Sequence, residues 1–547
     1  MKEKKLSKIA IGFPVFISIA VAVGIFIGAN MAGPEDGVFN LQKSLYKFRQ
    51  VLSYLENDYV DEVNPDELVE TAIAEMLEKL DPHSVYIPAE ELDLAKSQLE
   101  GNFEGIGIEF NIFKDTIFVV SALSGGPSEK IGLRSGDKII TVDGEDVTGE
   151  GLNNRKVINL LRGPKGSEVV VGILRKGYKE LIDFTIVRDV IPQYSVDVSY
   201  MVDDETGYIK VSRFSALTYM EFKEALVQLK SQGMKKMILD LTGNPGGYMD
   251  RAVDMVDEIL KDQQMIVYTK GKESRYNSQH MSKNPGDFED GAVVVMINEG
   301  SASASEIVSG ALQDHDRAII VGRRSFGKGL VQLPISLNDG SELRLTISRY
   351  YTPSGRSIQK PYGHNTEDYY SEYYDRFKNG EMYVKDSAKV VDSLVYKTDA
   401  GRVVYGGGGI MPDYFVPLDS SQNSLFLSRL SNTNTIREYA LKYFEANKEK
   451  LEKYSLDEYI KNYRVTDKML DDLLKLSYQN GVPKDDRGFE KSKELIRVYT
   501  KAFIARSVWD NKGFYPIFNQ QDEIFQKAVS LVGEAENLLK RRTASSN

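Results

Sequence analysis

The sequence predicts a multidomain α/β (α+β) chain: a mainly parallel α/β core accompanied by a β-rich module and by helical domains at both ends. Three observations carry that expectation. A length of 547 residues exceeds one ordinary core and fits three or four domains at roughly 100 to 200 residues each. Between 191 and 418, short apolar runs alternate with helical spacing, the pattern of strands joined by helices. Between 101 and 188 the texture is instead short β-rich runs punctuated by Gly-Gly-Pro, Asp-Gly and Gly-Pro.

Composition narrows the function classes. Hydrophobic content of 41% and charged content of 27% exclude a disordered chain and a polytopic membrane protein. A net charge of −11 without a long basic run gives phosphate nothing to neutralise, so no nucleic-acid partner is expected. With no cysteine there is no disulfide, no thiolate nucleophile and no cysteine-held metal.

At the N-terminus, Lys2, Lys4, Lys5 and Lys8 precede an almost wholly apolar stretch from 9 to 29. About 20 such residues span a bilayer, and a basic flank stays in the cytoplasm, so residues 1–34 are expected to be a signal anchor with the body extracytoplasmic, in the periplasm. The rival is a cleaved signal peptide, against which the poor cleavage site Gly28-Ala29-Asn30-Met31 argues. Both export the chain.

Residues 35–100 read as helical, with Leu45, Phe48, Leu52 and Leu55, then Leu68, Ala72, Met76 and Leu80 at helical spacing. Residues 101–190 form the β-rich module, with strands near 117–121 and 169–174. In the core at 191–418, strands near 207–211, 237–241 and 293–297 alternate with helices near 220–230 and 248–260. A polar, tyrosine-rich stretch at about 363–398 reads as a surface insertion without chemistry. Residues 419–547 return to helical spacing, and aromatic stripes such as Tyr439, Tyr443 and Phe444 read as core.

Chemistry concentrates where the strand at 293–297 runs into Asn298-Glu299-Gly300-Ser301-Ala302-Ser303-Ala304-Ser305-Glu306 and then an apolar-faced helix. Small residues let the chain turn sharply and expose a hydroxyl at a helix start, where unpaired N–H groups can hold an oxyanion. Alone, the same turn is simply an N-cap. A nucleophile needs a base, and of His83, His280, His315 and His364 the nearest in sequence, His315, would lie about 18 Å along the helix axis from Ser303. Lysine remains. Ser325-Phe326-Gly327-Lys328-Gly329 sets a lone lysine between glycines at the entry to an apolar strand. To act as a base it needs a pKa depression of roughly three units, worth about 4 kcal/mol, which an apolar cleft can supply. Alone, Lys328 reads as a surface lysine at a strand end, and Gly-Lys-Gly lacks the spacing of a phosphate loop.

Taken together, Gly300 to Glu306, then Phe326-Gly327-Lys328-Gly329 and Gln332, resemble the carboxyl-terminal processing proteases, also called tail-specific proteases. The resemblance extends over about residues 40 to 418, through Leu80-Asp81-Pro82-His83-Ser84, Asp240-Leu241-Thr242-Gly243-Asn244-Pro245-Gly246-Gly247, Arg349-Tyr350-Tyr351-Thr352-Pro353 and Tyr405-Gly406-Gly407-Gly408-Gly409. It implies a crotonase-like or ClpP-like protease core, a Ser303/Lys328 catalytic dyad and Gln332 as its assistant. It leaves His83 structural and requires no cofactor or metal. The Ala304 N–H with Gly246 or Gly247 would form the oxyanion hole. Thr242 departs from the family, which commonly carries arginine there, and so puts in doubt any salt bridge at that point.

Glu104-Gly105-Ile106-Gly107-Ile108-Glu109-Phe110 resembles a PDZ carboxylate loop entering its peptide-pairing strand, and Gly125-Gly126-Pro127-Ser128 through Val142-Asp143-Gly144 resembles the bacterial PDZ signature. Gly105, Ile106, Gly107 and Ile108 are then the peptide-binding residues, and the expected partners are proteins or peptides with free apolar C-termini. The helical domains are candidates for a homo-oligomer contact or an adaptor. Two rival functions stand: a silent PDZ adaptor, which intact Ser303, Lys328 and Gln332 oppose, and a Ser/Lys acyl-enzyme for cell-wall peptides, whose Ser-x-x-Lys helix is absent.

Overall fold

The computed structural model describes residues 36–545 apart from 114, 124, 135, 176, 364, 365 and 385–393. The predicted anchor at 1–34 lies outside the described residues. Among the described residues no helix is long and apolar enough to cross a membrane. The chain divides after Met76. The first unit holds the helix Asp36–Asp58 and most of the helix Pro65–Glu78.

In the second unit a six-stranded sheet runs in the order Val196–Met201, Thr206–Val211, Lys236–Asp240, Ala292–Ile297, Ile319–Gly322, Tyr414–Phe415. Its first pair is antiparallel and the rest are parallel. Met237, Leu239, Val293, Val295 and Ile297 face the helices Thr218–Ser231, Met249–Asp257 and Ala304–Asp314. The alternate residues Ile238, Val294 and Met296 meet Ile524, Phe525, Ala528 and Leu531 of the last helix, Glu523–Ser545. Because both faces are covered, these strands are continuous apolar runs, not alternating ones. The alternation expected from the sequence is therefore the observed one, and the C-terminal chain supplies half of the sheet's cover.

A second sheet packs alongside, ordered Val85–Ile87, Glu342–Tyr351, Met265–Gly271, Ser278–Met281, with Leu330–Ser336 also on Glu342–Tyr351. The strand Val85–Ile87 falls in a stretch that helical spacing alone had covered. Three residues are too few to break a helical period in the sequence. Residues 108–187 build the β-rich module, a sheet ordered Ile108–Phe113, Thr116–Ala122, Lys138–Val142, Glu168–Leu174, Ile182–Val187 around Ile117, Ile139, Val157 and Val171. It joins the core through the two-stranded ribbon Asn102–Gly105 with Asp189–Pro192. From Leu425 to Phe518 helices enclose a core of their own, in which Ile436, Tyr439, Ala440 and Ala502 are buried with Tyr443 and Phe444 against them.

Candidate active site

Ser303 sits between the strand Ala292–Ile297 and the helix Ala304–Asp314 with φ 56° and ψ −113°. Such a conformation costs a non-glycine residue on the order of 1 to 3 kcal/mol, so its surroundings must impose it. They do so on every side. The Ser303 N–H donates to Glu306 Oε2 at 2.7 Å, and the Ser303 carbonyl accepts from Tyr350 Oη at 3.0 Å. The preceding Ala302 N–H is held by the Asn244 carbonyl at 2.9 Å.

Lys328 stands in the extended segment that becomes the strand Leu330–Ser336, partly buried. Burial is the first cause of a lowered ammonium pKa, and the Arg344 cation adds to it, while Glu306 and Asp81 pull the other way. Direction and cause are those a lysine base requires. Its backbone is fixed from both ends: the Lys328 N–H donates to Glu306 Oε2 at 2.9 Å and its carbonyl accepts from Tyr350 Oη.

Glu306 and Tyr350 therefore tie the two residues together. Fully buried, the Glu306 carboxylate accepts from the backbone N–H of Ser303, Gly327 and Lys328 and from the Ser325 hydroxyl. Burial raises its carboxyl to about 7 against these hydrogen bonds, which favour the charged form. Tyr350, whose phenol burial keeps protonated, lies across the two carbonyls. Neither residue's role was legible in sequence, though Ser303-x-x-Glu306 has the spacing of a capping box, in which a glutamate reaches back to the N-cap N–H.

Two further elements close on Lys328. Asp81 accepts the N–H groups of His83 and Ser84, and it accepts from Thr346 Oγ1 at 3.0 Å. Gln332 Nε2 in turn donates to Thr346 at 3.2 Å. Gln332 is thus brought to the site, with its amide engaged through Thr346. His83, assigned only structure from sequence, lies beside Lys328: burial first, then the lysine charge, lowers its imidazole to about 3, and its Nε2 meets Tyr369 Oη at 2.9 Å. Its ring stays neutral. Tyr369 and Arg376 belong to the helix Thr366–Lys378, inside the stretch read as a surface insertion without chemistry. That expectation is corrected. Both are buried, and the Arg376 guanidinium donates to the carbonyls of Arg324, Ser325 and Phe326, the segment leading into Lys328. His315 instead caps its helix, bonded to Asp399 and to the Met265 carbonyl.

The glycines are separable by geometry. A Cβ on Gly246 would lie 2.6 Å from Ser303 Cβ and 2.9 Å from Ala304 N, so only glycine allows the turn to approach the hydroxyl. The Gly246 N–H, however, is taken by Asn244 Oδ1 at 2.9 Å. At the first helical position the Ala304 N–H is one that no intrahelical carbonyl reaches. At the departure Thr242, Lys210 of the neighbouring strand supplies a cation, with Nζ 3.0 Å from Asp240 Oδ1 and 2.9 Å from Thr242 Oγ1.

In the β-rich module, Ile108–Phe113 is the outermost strand of its sheet, and among the described residues no further strand pairs with its outer edge. Gly107 takes φ +71°. Ile106 is 2% exposed and packs in the module's core, so only its backbone can face a ligand.

Comparison with known proteins finds four matches to family models along the chain. Residues 205–368 match peptidase family S41, 118–175 a PDZ domain, 29–91 the N-terminal domain of the activating protease CtpB, and 426–510 a family of unknown function. A carboxy-terminal-processing protease of Bartonella bacilliformis is 37% identical over 351 residues, covering 62% of this chain and 80% of that protein. The carboxy-terminal processing protease CtpB of Bacillus subtilis is 34% identical over 376 residues, covering 66% and 76%. Among solved structures, a photosystem II D1 C-terminal processing protease aligns at 29% identity and a TM-score of 0.34, covering 57% of this chain and 83% of that one.

Proposed function

The chain belongs to the carboxy-terminal processing protease family and is a serine-type peptidase with a PDZ domain, and from that premise we propose that it is an exported endopeptidase working through a Ser303/Lys328 dyad on substrates delivered by their C-terminal tails. The observation that carries the dyad is the double tie of Glu306 and Tyr350, which fixes a strained serine and a desolvated lysine to each other through four backbone groups.

Neutral Lys328 Nζ takes the Ser303 Oγ proton as the oxygen attacks the scissile carbonyl. The resulting oxyanion is received by the N–H groups of Ala304 and Gly247. The lysine gives that proton to the leaving amine; the Lys328 amine, neutral again, then takes a proton from water as it attacks the acyl-enzyme and returns it to Ser303 Oγ as the acid product leaves. Because the base must be neutral, the rate rises with pH through the lowered Lys328 pKa. His83 helps by staying uncharged beside it. Tails pair with the open edge of Ile108–Phe113, their terminal carboxylate received at Gly105 to Ile108. The basic flank and apolar stretch at 1–34 support a membrane anchor with the body outside, which external protease digestion of intact cells would report.

Ser303→Ala and Lys328→Ala should each abolish hydrolysis and fluorophosphonate labelling without changing the fold, and the double variant should lose no more than either. Near-wild-type turnover in Lys328→Ala would refute the dyad.

A further inference from the structure

The proposed path of the tail leaves the C-terminal helices without a role, yet one of them meets the strand with which the tail would pair. Arg437, near the start of the helix Thr435–Leu451, places Nη1 2.7 Å from Glu109 Oε1. Two turns along the same helix, Glu445 Oε1 lies beside Gly136, 3.8 Å from where a Cβ would stand, just before the strand Lys138–Val142. The helix therefore reaches the module at two points, with its N-terminal end at the edge strand and Glu445 at the turn before Lys138–Val142.

Side chains on that strand alternate. Ile108, Phe110 and Ile112 pack against the module's core, so Glu109 points to the other face, where Ser121 on the neighbouring strand also reaches it at 3.3 Å. A peptide adding antiparallel to the open edge obeys the same alternation. Residues directly opposite each other in such a pair project to one face with Cβ atoms about 4.5 to 5.5 Å apart. With the terminal residue opposite Ile108, the penultimate residue stands opposite Glu109 and projects toward Arg437.

We propose that the C-terminal helical domain reads the substrate tail, with Arg437 selecting an acidic side chain at the penultimate position in competition with Glu109. The apolar terminal residue faces the module and the penultimate one faces the helices, so one strand is read from both sides by two domains. The inference rests on tail pairing at Ile108–Phe113.

The test uses the full chain carrying Ser303→Ala, so that labelled peptides bind without cleavage, and measures affinity by fluorescence anisotropy for tails with Asp, Ala or Lys before an apolar terminal residue, each also as the amide. Asp should bind about fivefold to tenfold more tightly than Lys, the span of a half-exposed ion pair. Arg437→Glu should invert that order and Arg437→Gln should abolish it. Glu109→Gln, which frees the guanidinium, should enlarge it. An Asp-to-Lys ratio unchanged by both Arg437 variants, while amidation still weakens binding, would overturn the inference alone. Binding indifferent to amidation in every variant would overturn tail recognition, and this inference with it.

Discussion

Two buried carboxylates in the same α/β core, Asp240 and Glu306, each lie near a lysine, and they treat it in opposite ways. Asp240 gives one oxygen to Tyr208 and shares the other between the Lys210 ammonium and the Thr242 N–H and hydroxyl, and the Thr242 hydroxyl and carbonyl complete the cation's shell. Glu306 spends its oxygens on three backbone N–H groups and the Ser325 hydroxyl. Lys328 is near enough to feel its charge, yet among the described residues it forms no ion pair. A buried lysine with a carboxylate in contact is a fixed cation, whereas one whose neighbouring carboxylate is already saturated can be a base. What differs is whether one of the acceptor's lone pairs reaches the ammonium, rather than how deep the lysine lies.

The sharpest way to break this contrast is to remove the fixed cation. Lys210→Met should cost about 3 to 5 kcal/mol, because it leaves Asp240 buried and uncompensated. The loss should appear as a lowered Tm of the core and be recovered in part by a second change, Asp240→Asn. A variant as stable as the parent would mean that Lys210 is no counter-ion.

Next in size is Glu306→Gln, for which the sign can be worked out. The folded carboxyl is raised to about 7 from 4.5, so its contribution to stability is present in full below 4.5 and lost as pH rises through 7. The parent should therefore lose up to about 3 kcal/mol across that interval relative to Glu306→Gln. Activity should move the other way, since an amide NH2 confronts N–H donors, and the acid limb should shift to lower pH as Lys328 loses the neighbouring charge. A limb that stays in place would assign Glu306 to structure alone. The smallest effect is expected at Thr346→Val, about 1 kcal/mol in kcat/KM with KM nearly unchanged, from loosening the link between Asp81 and Gln332.

How much of this was legible in sequence depends on range. Ser303 and Lys328 stand in short strings whose glycines and small residues mark a backbone that must turn or be approached closely. The alternating core could be read because each strand and helix is a local period. Tyr350 and Asp81 carry no local mark of their purpose, since they meet the site from strands and loops distant in the chain. Arg376 and Tyr369 were hidden more thoroughly: a polar, tyrosine-rich composition reads as surface, yet they are 2% and 3% exposed because arginine and phenol groups satisfy carbonyls and imidazole inside the fold. That the Gly246 N–H is already engaged by one side-chain oxygen, Asn244 Oδ1, is something no spacing reveals.

The clamp of Arg376 on residues 324–326, together with the hydrogen bond from the Ile410 N–H to Ser325 Oγ at 2.6 Å, has a consequence for biosynthesis. The hydroxyl and amine are both translated long before the groups that hold their loop. At about 5 to 20 residues per second, the ribosome needs roughly 5 to 20 s to pass from Ser303 to Ile410. Until then the segment leading into Lys328 is without the Arg376 and Ile410 contacts that hold it in the finished fold, so its final order waits on a part of the core that is made late.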